Sequence, residues 1–458
     1  MDKSSTHAPE RMLRFSKSWS IFSKYAFFVH RLFYKSIVVE GFENIPRNVP
    51  TIFAPNHQNA LMDPMLIIAT ARQQVVFLAR ADIFKNKFIA HILMWLKILP
   101  VYRIRDGKNN LEKNDESFHQ VIEVLEHKLA IGIFPEAQHS DKRHLLALKK
   151  GIPRLAFEAE EKNNFNLHIQ VIPVGIYYSR YNIFRTIAHV RYGKPIDVTQ
   201  FKEIYLENEQ KGFQALRDAI AAQLEQLAIN IRNLQLYDMY ESIRALYVKQ
   251  LIKKFRLGKL TQINRFKADK ITIAFLDRYA EDHPEAMEQL REKVAEYEEL
   301  KRKYSLSDQS IEKPKLKMWR LVASVILLLA CLPVFLYGLL NNSIVYFVPK
   351  LLVLKIKDKQ FHSSVKFGWG VIIGPILYLL QSVVFLLITG SWLYAALYLV
   401  SLPVTGFAAQ AYFEWDSIIM QDFRKWKLRN LNTETYIQII KTHKDIIHKL
   451  NIISNKYK

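Results

Sequence analysis

The stretch TIFAPNHQNALMDP, residues 51–64, decides the fold class that we predict for this chain. Its first four residues are β-branched or apolar and predict a buried strand. A polar loop follows, and Asp63 before Pro64 is typical of a helix start, with Asp63 as the N-cap and Pro64 at the first helical position. His57 and Asp63 therefore follow a strand directly, and open α/β sheets bind their ligands at the carboxyl ends of strands.

Short β-branched runs continue on both sides of this stretch and alternate with helical patterns. The predicted strands are residues 37–40, 51–54, 75–79, 99–103, 130–134, 169–176 and 189–192, and the predicted helices are 116–128 and 151–161. Alternation of this kind is typical of strands joined by crossover helices. We predict an α/β domain over residues 36–200, with a mixed, mostly parallel sheet flanked by helices.

The two regions that flank this domain have different patterns. Residues 1–35 are basic and aromatic, and their apolar part is too short to span a membrane, so we expect a membrane-surface amphipathic segment. Residues 201–317 predict a helical appendage and a linker. Within them, Asp282 followed by Pro284 predicts a helix start, and an apolar stripe at helical spacing follows: Met287, Leu290, Val294 and Tyr297.

Two long stretches, residues 321–349 and 367–413, contain no charged side chain. About 20 apolar residues cross a bilayer as a helix, so the first stretch can span once and the second twice. We predict transmembrane hairpins over residues 318–413, followed by a basic cytoplasmic tail over residues 414–458. The first, residues 321–354, is a hairpin or a re-entrant loop that turns near Asn341-Asn342, and the second turns near Thr389-Gly390-Ser391. The chain is expected to be integral to a membrane.

The composition excludes several classes of protein. The chain has 65 Lys and Arg against 43 Asp and Glu, a net charge of +22, so an anionic partner is expected. Because Cys331 is the single cysteine, an internal disulfide, a zinc ribbon and a thiol redox pair are all excluded. No motif of a nucleic-acid-binding module is found, and the basic charge is spread along the chain.

His57 and Asp63 are the residues best suited to catalysis. A neutral imidazole can accept a proton from an alcohol when a second group fixes its tautomer and stabilises the imidazolium. Residues six apart on one helix point roughly 240° apart and cannot meet. If the two act together, His57 must lie in the loop before the helix, with Asp63 at the start of that helix.

Two further strand ends carry polar side chains. Arg103 and Arg105 follow a predicted strand, and their planar guanidinium groups suit phosphate oxygens, although each alone is also compatible with plain surface solvation. Glu136 and His139 follow the strand that ends in Phe134. No group of His, Cys or carboxylate residues has the spacing of a metal site, so no metal is expected.

Four motifs in order resemble the conserved blocks of the glycerolipid acyltransferase superfamily, which includes the glycerol-3-phosphate and lysophosphatidate acyltransferases. The motifs are Asn56-His57 with Asp63, Val101-Tyr102-Arg103, Phe134-Pro135-Glu136 and Ile172-Pro173-Val174-Gly175. The flanking stretches 38–46 and 192–196 resemble the same family. The resemblance covers roughly residues 36–200.

Two departures from the family pattern refine this resemblance. Five residues separate His57 from Asp63 where the family has four, and this variant resembles the fungal-type glycerol-3-phosphate/dihydroxyacetone-phosphate acyltransferases and their bacterial relatives. The third block has Ala137-Gln138-His139 in place of Gly-Thr-Arg. The task of that arginine would fall to His139, Arg143 or another residue.

The resemblance implies transfer of an acyl group from a thioester, acyl-CoA or acyl carrier protein, to a hydroxyl of a glycerophosphate or lysophospholipid, with no cofactor and no covalent acyl-enzyme. In these terms His57 is the general base and Asp63 orients it. Arg103, or Arg105 in its place, binds the acceptor phosphate, and Glu136 holds that arginine or a substrate hydroxyl. Because the clusters that flank the apolar stretches are basic, the catalytic domain is expected on the cytoplasmic face, in contact with membrane lipids.

Two alternatives remain open at this point. One is a lysophospholipid acyltransferase or transacylase that uses a different head group. The other is a non-catalytic, membrane-anchored basic protein that binds anionic lipid or nucleic acid.

Overall fold

The seven predicted strands all form, and an eighth short strand joins them in one sheet. The computed structural model describes residues 8–101, 111–181, 183–313 and 318–457. Its strands are β1 Ser36–Glu40, β2 Thr51–Pro55, β3 Val75–Arg80, β4 Ile98–Val101, β5 Ala130–Gly132, β6 Gln170–Tyr178, β7 Ile187–Tyr192 and β8 Ile196–Asp197.

The sheet is mixed and mostly parallel, as predicted. Its strand order is β1-β7-β6-β2-β5-β3-β4, and β8 pairs with β6. Strand β2 runs parallel to both of its neighbours, with Ile52 opposite Ile131 on β5 and opposite Val171 on β6. The antiparallel pairs join β6 to β7 and to β8. Because β2 and β5 are parallel neighbours, the loops after their carboxyl ends emerge at the same edge of the sheet.

Helices cover the sheet in the manner of an α/β domain. In the first half of the chain they are α1 Glu10–Leu13, α2 Lys17–Phe33, α3 Met62–Thr70, α4 Lys87–Trp95, α5 Leu111–Glu126, α6 Gly151–Lys162, α7 Lys202–Glu207 and α8 Glu209–Leu227. Ile52 and Ala54 pack into a core that α5, α6 and α8 share. The intervening Phe53 contacts Tyr192 instead, 5.8 Å between ring centroids. Strand alternation thus fills both faces of the sheet.

The remaining helices are long, and several are apolar. They are α9 Tyr237–Lys254, α10 Gln262–Asp282, α11 Pro284–Lys303, α12 Asp308–Glu312, α13 Met318–Asn341, α14 Ser343–Leu354, α15 Phe361–Gly368, α16 Gly374–Thr389, α17 Trp392–Leu431 and α18 Thr433–Lys456. Helix α11 begins at the predicted Pro284, and its predicted stripe, from Met287 to Tyr297, is buried.

Two compact units divide the chain. The first contains residues 1–230 together with the short segment Ile356–Phe367, and the second contains Ile231–Lys355 and Gly368–Lys458. Helices α7 and α8 thus belong with the sheet, which extends the first unit past residue 200. The domain boundaries that we infer from the sequence remain predictions.

Three stretches of the described chain are helical, long and apolar enough to cross a membrane: Met318–Asn341, Phe361–Thr389 and Trp392–Leu431. Helix α14 is apolar but shorter. Helix α13 ends beside Asn342, and α16 ends at Gly390, whose φ of +65° is the left-handed conformation that glycine tolerates. The hairpins that we infer from the sequence remain predictions. Within the second unit, α13 and α17 approach closely, since a Cβ at Gly338 would lie 2.3 Å from the Thr405 carbonyl oxygen.

Candidate active site

The loop after β2 is held by an asparagine that bridges two strands. Asn56 follows β2, and its side-chain oxygen accepts the Ile176 N–H at 2.6 Å. Its amide nitrogen donates to the Ile176 carbonyl at 3.2 Å. These bonds continue the β2–β6 ladder by one side chain, so the next residue, His57, leaves the sheet from a fixed point.

His57 and Asp63 meet, with His57 in the loop and Asp63 in the first turn of α3. The Nδ1 atom of His57 lies 2.9 Å from Oδ2 of Asp63. An ionised carboxylate can only accept hydrogen bonds, so Nδ1 carries the proton and Nε2 is left basic. The His57 side chain is 16% exposed and that of Asp63 is fully buried.

Asp63 is not the N-cap that the sequence predicts. Helix α3 begins at Met62, its N-cap position is Leu61, and no side chain caps it. The Asp63 carboxylate points back to the preceding loop, where Oδ2 accepts the N–H groups of Gln58 at 2.8 Å and Asn59 at 2.7 Å. The carboxylate therefore closes the His57 loop rather than the helix.

Tyr178 completes the set of groups around this carboxylate. Its O–H donates to Oδ1 of Asp63 at 2.6 Å, and the tyrosine is fully buried. Burial, together with the charge of Asp63, raises the pKa of the Tyr178 phenol well above its usual value, so it stays a donor. The sequence offered one indication of Tyr178, since it lies on the strand of the fourth motif, two residues beyond Ile176.

Glu136 follows β5, the strand beside β2, and its carboxyl group contacts the loop that carries His57. Its Oε1 accepts the His57 N–H at 3.2 Å and its Oε2 accepts the Leu146 N–H at 3.0 Å. Burial raises the pKa of the Glu136 carboxyl to about 7, against the opposing effect of these two bonds. Glu136 thus ties two backbone segments together, and its expected contact with Arg103 involves a residue outside the described part of the chain.

Aromatic rings and a second histidine surround His57. The Phe134 ring stacks on the His57 imidazole at 3.9 Å between centroids. His139 meets the same imidazole edge to face at 5.4 Å. His139 is therefore brought to the site, as the order of the motifs suggests.

Arg143, the other residue that the sequence leaves open, has a different position. It is 5% exposed, and its guanidinium donates to the Tyr178 carbonyl at 2.8 Å. The same group lies over the Tyr177 and Tyr181 rings at 5.3 and 4.8 Å. These partners hold Arg143 within the packing of the unit, so His139 is the better placed of the two to meet a substrate.

The predicted phosphate ligands Arg103 and Arg105 lie outside the residues that the structure describes, which leave out residues 102–110. Among described residues, no group of three or more His, Cys, Asp and Glu side chains could hold a metal ion. The described site thus consists of a buried carboxylate, a partly exposed imidazole and a neighbouring histidine. This arrangement suits removal of a proton from a hydroxyl group.

Comparison with known proteins agrees with this chemistry. Residues 36–177 match the model of the acyltransferase family. Glycerol-3-phosphate O-acyltransferase 1 of Saccharomyces cerevisiae is 27% identical over 298 residues, which are 59% of this chain and 37% of that enzyme. The 1-acyl-sn-glycerol-3-phosphate acyltransferase of Borreliella burgdorferi is 26% identical over 200 residues, 42% of this chain and 73% of that enzyme.

A solved structure is also similar in part. The crystal structure of the 1-acyl-sn-glycerophosphate acyltransferase from Thermotoga maritima covers 46% of this chain and 78% of its own, with 24% identity and a TM-score of 0.34.

Residues 36–177, which contain most of the sheet and the His57 loop, therefore form an acyltransferase-family domain. Its relatives include glycerol-3-phosphate O-acyltransferases and a 1-acylglycerol-3-phosphate acyltransferase, which confirms the resemblance inferred from the motifs. The matched regions span 37% of the length of glycerol-3-phosphate O-acyltransferase 1 of Saccharomyces cerevisiae and 38% of the length of glycerol-3-phosphate O-acyltransferase 2 of the same organism.

Proposed function

We propose that this protein is a membrane-bound O-acyltransferase that moves a fatty acyl group from a thioester to a hydroxyl of glycerol-3-phosphate. The observation that carries the proposal is the pair of His57 and the buried Asp63, 2.9 Å apart, inside an acyltransferase-family domain. Dihydroxyacetone phosphate and lysophosphatidate are the close alternative acceptors, the latter because the Borreliella burgdorferi relative acts on 1-acyl-sn-glycerol-3-phosphate.

The reaction proceeds by direct attack of the acceptor on the thioester. His57 Nε2 takes the proton of the acceptor hydroxyl, and the oxygen forms a bond to the thioester carbonyl carbon. Collapse of the tetrahedral intermediate breaks the carbon–sulfur bond, and the proton on His57 passes to the departing thiolate. Asp63 stabilises the imidazolium between these two steps, as a buried carboxylate does for the histidine of a hydrolase triad.

The acceptor's phosphate needs donors near His57. Arg103, or Arg105 in its place, supplies a guanidinium fork in this proposal. His139 supports the proposal from the described part of the site, since it adjoins the His57 ring and is 25% exposed. Glu136 acts indirectly here, through the backbone of the histidine loop.

The apolar helices hold the enzyme in the membrane that contains its apolar substrate and product. The apolar stretch Phe361–Thr389 begins with residues that belong to the same unit as His57. A fatty acyl chain partitions into the bilayer by about 0.8 kcal/mol for each buried CH₂ group. We place the catalytic domain on the cytoplasmic side, because the segments that flank the apolar stretches are basic.

The test is an acyl-transfer assay on the purified full-length chain in nanodiscs. Labelled acyl-CoA and acyl-loaded carrier protein are offered with glycerol-3-phosphate, dihydroxyacetone phosphate, lysophosphatidate and lysolipids of other head groups. Transfer to a glycerophosphate, lost in His57→Ala, is expected. Selective acylation of a different lysolipid would replace the acceptor in the proposal, and absence of transfer to every acceptor would leave the non-catalytic binder.

A further inference from the structure

A short segment between two apolar helices belongs to the acyltransferase unit rather than to the helices around it. Residues Ile356–Phe367 follow α14 and precede α16, yet they cluster with residues 1–230. The segment thus brings side chains that are more than 200 positions away in the sequence to the His57 site. None of the four family motifs includes it.

The far end of this segment, residues 364–367, is anchored by buried contacts. Ser364 is buried, and its Oγ accepts the N–H of Leu61, the residue before α3, at 3.2 Å. Phe367 is 4% exposed and packs against the rings of His30 and Phe33 at 4.5 and 5.4 Å. These contacts bury apolar surface and one polar group, so this end is held firmly.

The near end, residues 358–361, contacts the site through the exposed carboxylate of Asp358 and the ring of Phe361. Oδ2 of Asp358 lies 3.0 Å from Nε2 of His139, and the Asp358 side chain is 45% exposed. The ring of Phe361 meets the His139 ring edge to face, 5.4 Å between centroids. Partial burial works against ionisation of Asp358, but its bonds from His139 and from the Gln360 N–H outweigh this and hold the pKa of the carboxyl below its usual value.

The bond to His139 has the chemistry of an anion site. When Nε2 of His139 carries a proton, it donates to a carboxylate oxygen of Asp358, and a phosphate oxygen offers the same kind of acceptor. An exposed ion pair contributes little to stability, so a ligand of comparable charge can replace it. The imidazole that would gain this ligand is in edge-to-face contact with the His57 ring, 5.4 Å between centroids.

We propose that the Asp358 carboxylate occupies an anion-binding subsite on His139 in the absence of ligand, and that the phosphate of a phosphomonoester acceptor displaces it. The near end of the segment then moves away while Ser364 and Phe367 stay in place. The existence of the subsite does not depend on the proposed function. The identification of its ligand as the acyl acceptor does rest on the proposed function. Asp358 competes with substrate in this arrangement and takes no part in the chemistry.

Binding measurements without thioester test the subsite. Calorimetry on the full-length chain in nanodiscs compares glycerol-3-phosphate, inorganic phosphate and neutral glycerol. Asp358→Asn removes the competing charge and should tighten binding of both phosphates about two- to fivefold, the range that an exposed pair allows, with glycerol unaffected. His139→Ala should weaken phosphate binding and cancel the gain when combined with Asp358→Asn.

Asp218→Asn is the matched control. Asp218 is an exposed carboxylate of the same unit, paired with Arg217 on α8, and its loss should leave phosphate binding unchanged. Weaker phosphate binding in Asp358→Asn would show that Asp358 positions His139, and unchanged binding would show that the pair is not at the phosphate subsite. Either result overturns the proposal.

The two proposals fail separately. If the wild-type chain transfers no acyl group but Asp358→Asn still tightens phosphate binding, the proposed function is wrong and the subsite stands. If transfer to glycerol-3-phosphate occurs but phosphate binding is unchanged in Asp358→Asn, the proposed function stands and the proposed role of Asp358 is wrong.

Discussion

Oδ2 of Asp63 receives three hydrogen bonds from the loop that carries His57, one from the His57 ring and two from the backbone of Gln58 and Asn59. A single oxygen thus fixes both the tautomer of the imidazole and the path of the chain around it. The carboxylate is fully buried and has no cation beside it among the described residues, so hydrogen bonds replace its hydration. The five residues between His57 and Asp63 form a loop that these bonds hold against the start of α3.

His57→Ala should remove most acyl transfer without unfolding the protein. His57 lies in a loop and is partly exposed, and general-base contributions are typically about 10²–10⁴-fold. Turnover and thermal midpoint are measured on the same preparation. His127→Ala, at an exposed position after α5 in the same unit, is the control and should keep full turnover. More than about a tenth of wild-type turnover in His57→Ala would rule out the assigned role.

Asp63→Asn should reduce turnover by on the order of 10²-fold or more and cost only moderate stability. The asparagine oxygen can keep the three bonds from the loop, and its amide group can turn towards the Tyr178 hydroxyl, which is able to accept. An amide cannot stabilise an imidazolium as a carboxylate does. The measurement is turnover together with the thermal midpoint.

Tyr178→Phe is the comparison for that variant. It leaves Oδ1 of Asp63 buried without its donor and should cost about 1–3 kcal/mol of stability, while the carboxylate charge beside His57 remains. We expect a smaller loss of turnover than in Asp63→Asn. Equal losses in the two variants would show that loop geometry matters more than the charge.

Glu136 gives the stability of the protein a dependence on pH. Burial raises its pKa to about 7 in the folded chain from 4.5. Between these values the folded state keeps a proton that the unfolded state has lost, so this contribution is fully present below about pH 4.5 and is lost as the pH rises through about 7. Glu136→Gln removes the titration and leaves an N–H of His57 or Leu146 facing an amide NH₂ group.

The variant should therefore melt below the wild type at pH 5, and the gap between the two thermal midpoints should narrow by about pH 8. Turnover should fall less than in His57→Ala, because Glu136 contacts only the backbone of the histidine loop. A gap that stays constant from acid to alkaline pH would contradict the raised pKa.

Arg103→Lys should raise the Michaelis constant for the glycerophosphate well above its wild-type value and leave that for the thioester nearly unchanged. Lysine keeps the charge but cannot form the two parallel bonds of a guanidinium fork. Arg105→Lys is the matched variant, two residues along the chain. If both substrates are affected equally by Arg103→Lys, the arginine has a structural role.

The fold and the centre of the site could be predicted because their determinants are local. Strand periodicity located β2, and the loop of residues 56–61 with Asp63 lies within a few positions of it. The orientation of Asp63 could not be predicted, because an N-cap and a carboxylate that turns back to the loop have the same sequence pattern. Sequence also left His139 and Arg143 equivalent until packing placed Arg143 beside the Tyr178 carbonyl.

Contacts between residues that are far apart in the sequence could not be predicted from local patterns. Asp358 is separated from His139 by 219 positions and lies in a charged stretch between apolar helices, where solvation is the ordinary explanation. Its sequence neighbours Lys357 and Lys359 are also charged, so the local sequence gives no sign that Asp358 makes a specific contact. The structure alone identifies it, through the fold of the segment onto the His57 loop.

The same segment constrains the topology in the membrane. Because Ser364 bonds to Leu61, residues 356–367 must lie on the same side of the bilayer as His57. Helix α14 has 12 residues, about 18 Å, against a hydrocarbon core of about 30 Å. We therefore expect α13 and α14 to enter and leave the membrane on one side as a re-entrant hairpin. Helices α16 and α17 should form the second hairpin, with its turn at Gly390 on the opposite side.

Single cysteines in a Cys331→Ser background test this arrangement. Gln360→Cys and Asn432→Cys should both resist an impermeant thiol reagent in intact cells and react after lysis, because the basic segments around them favour the cytoplasm. Thr389→Cys, beside the Gly390 turn, should label in intact cells and serves as the positive control. Labelling of Gln360→Cys from outside would separate residues 356–367 from a cytoplasmic His57 and would contradict both the hairpin and the bond between Asp358 and His139.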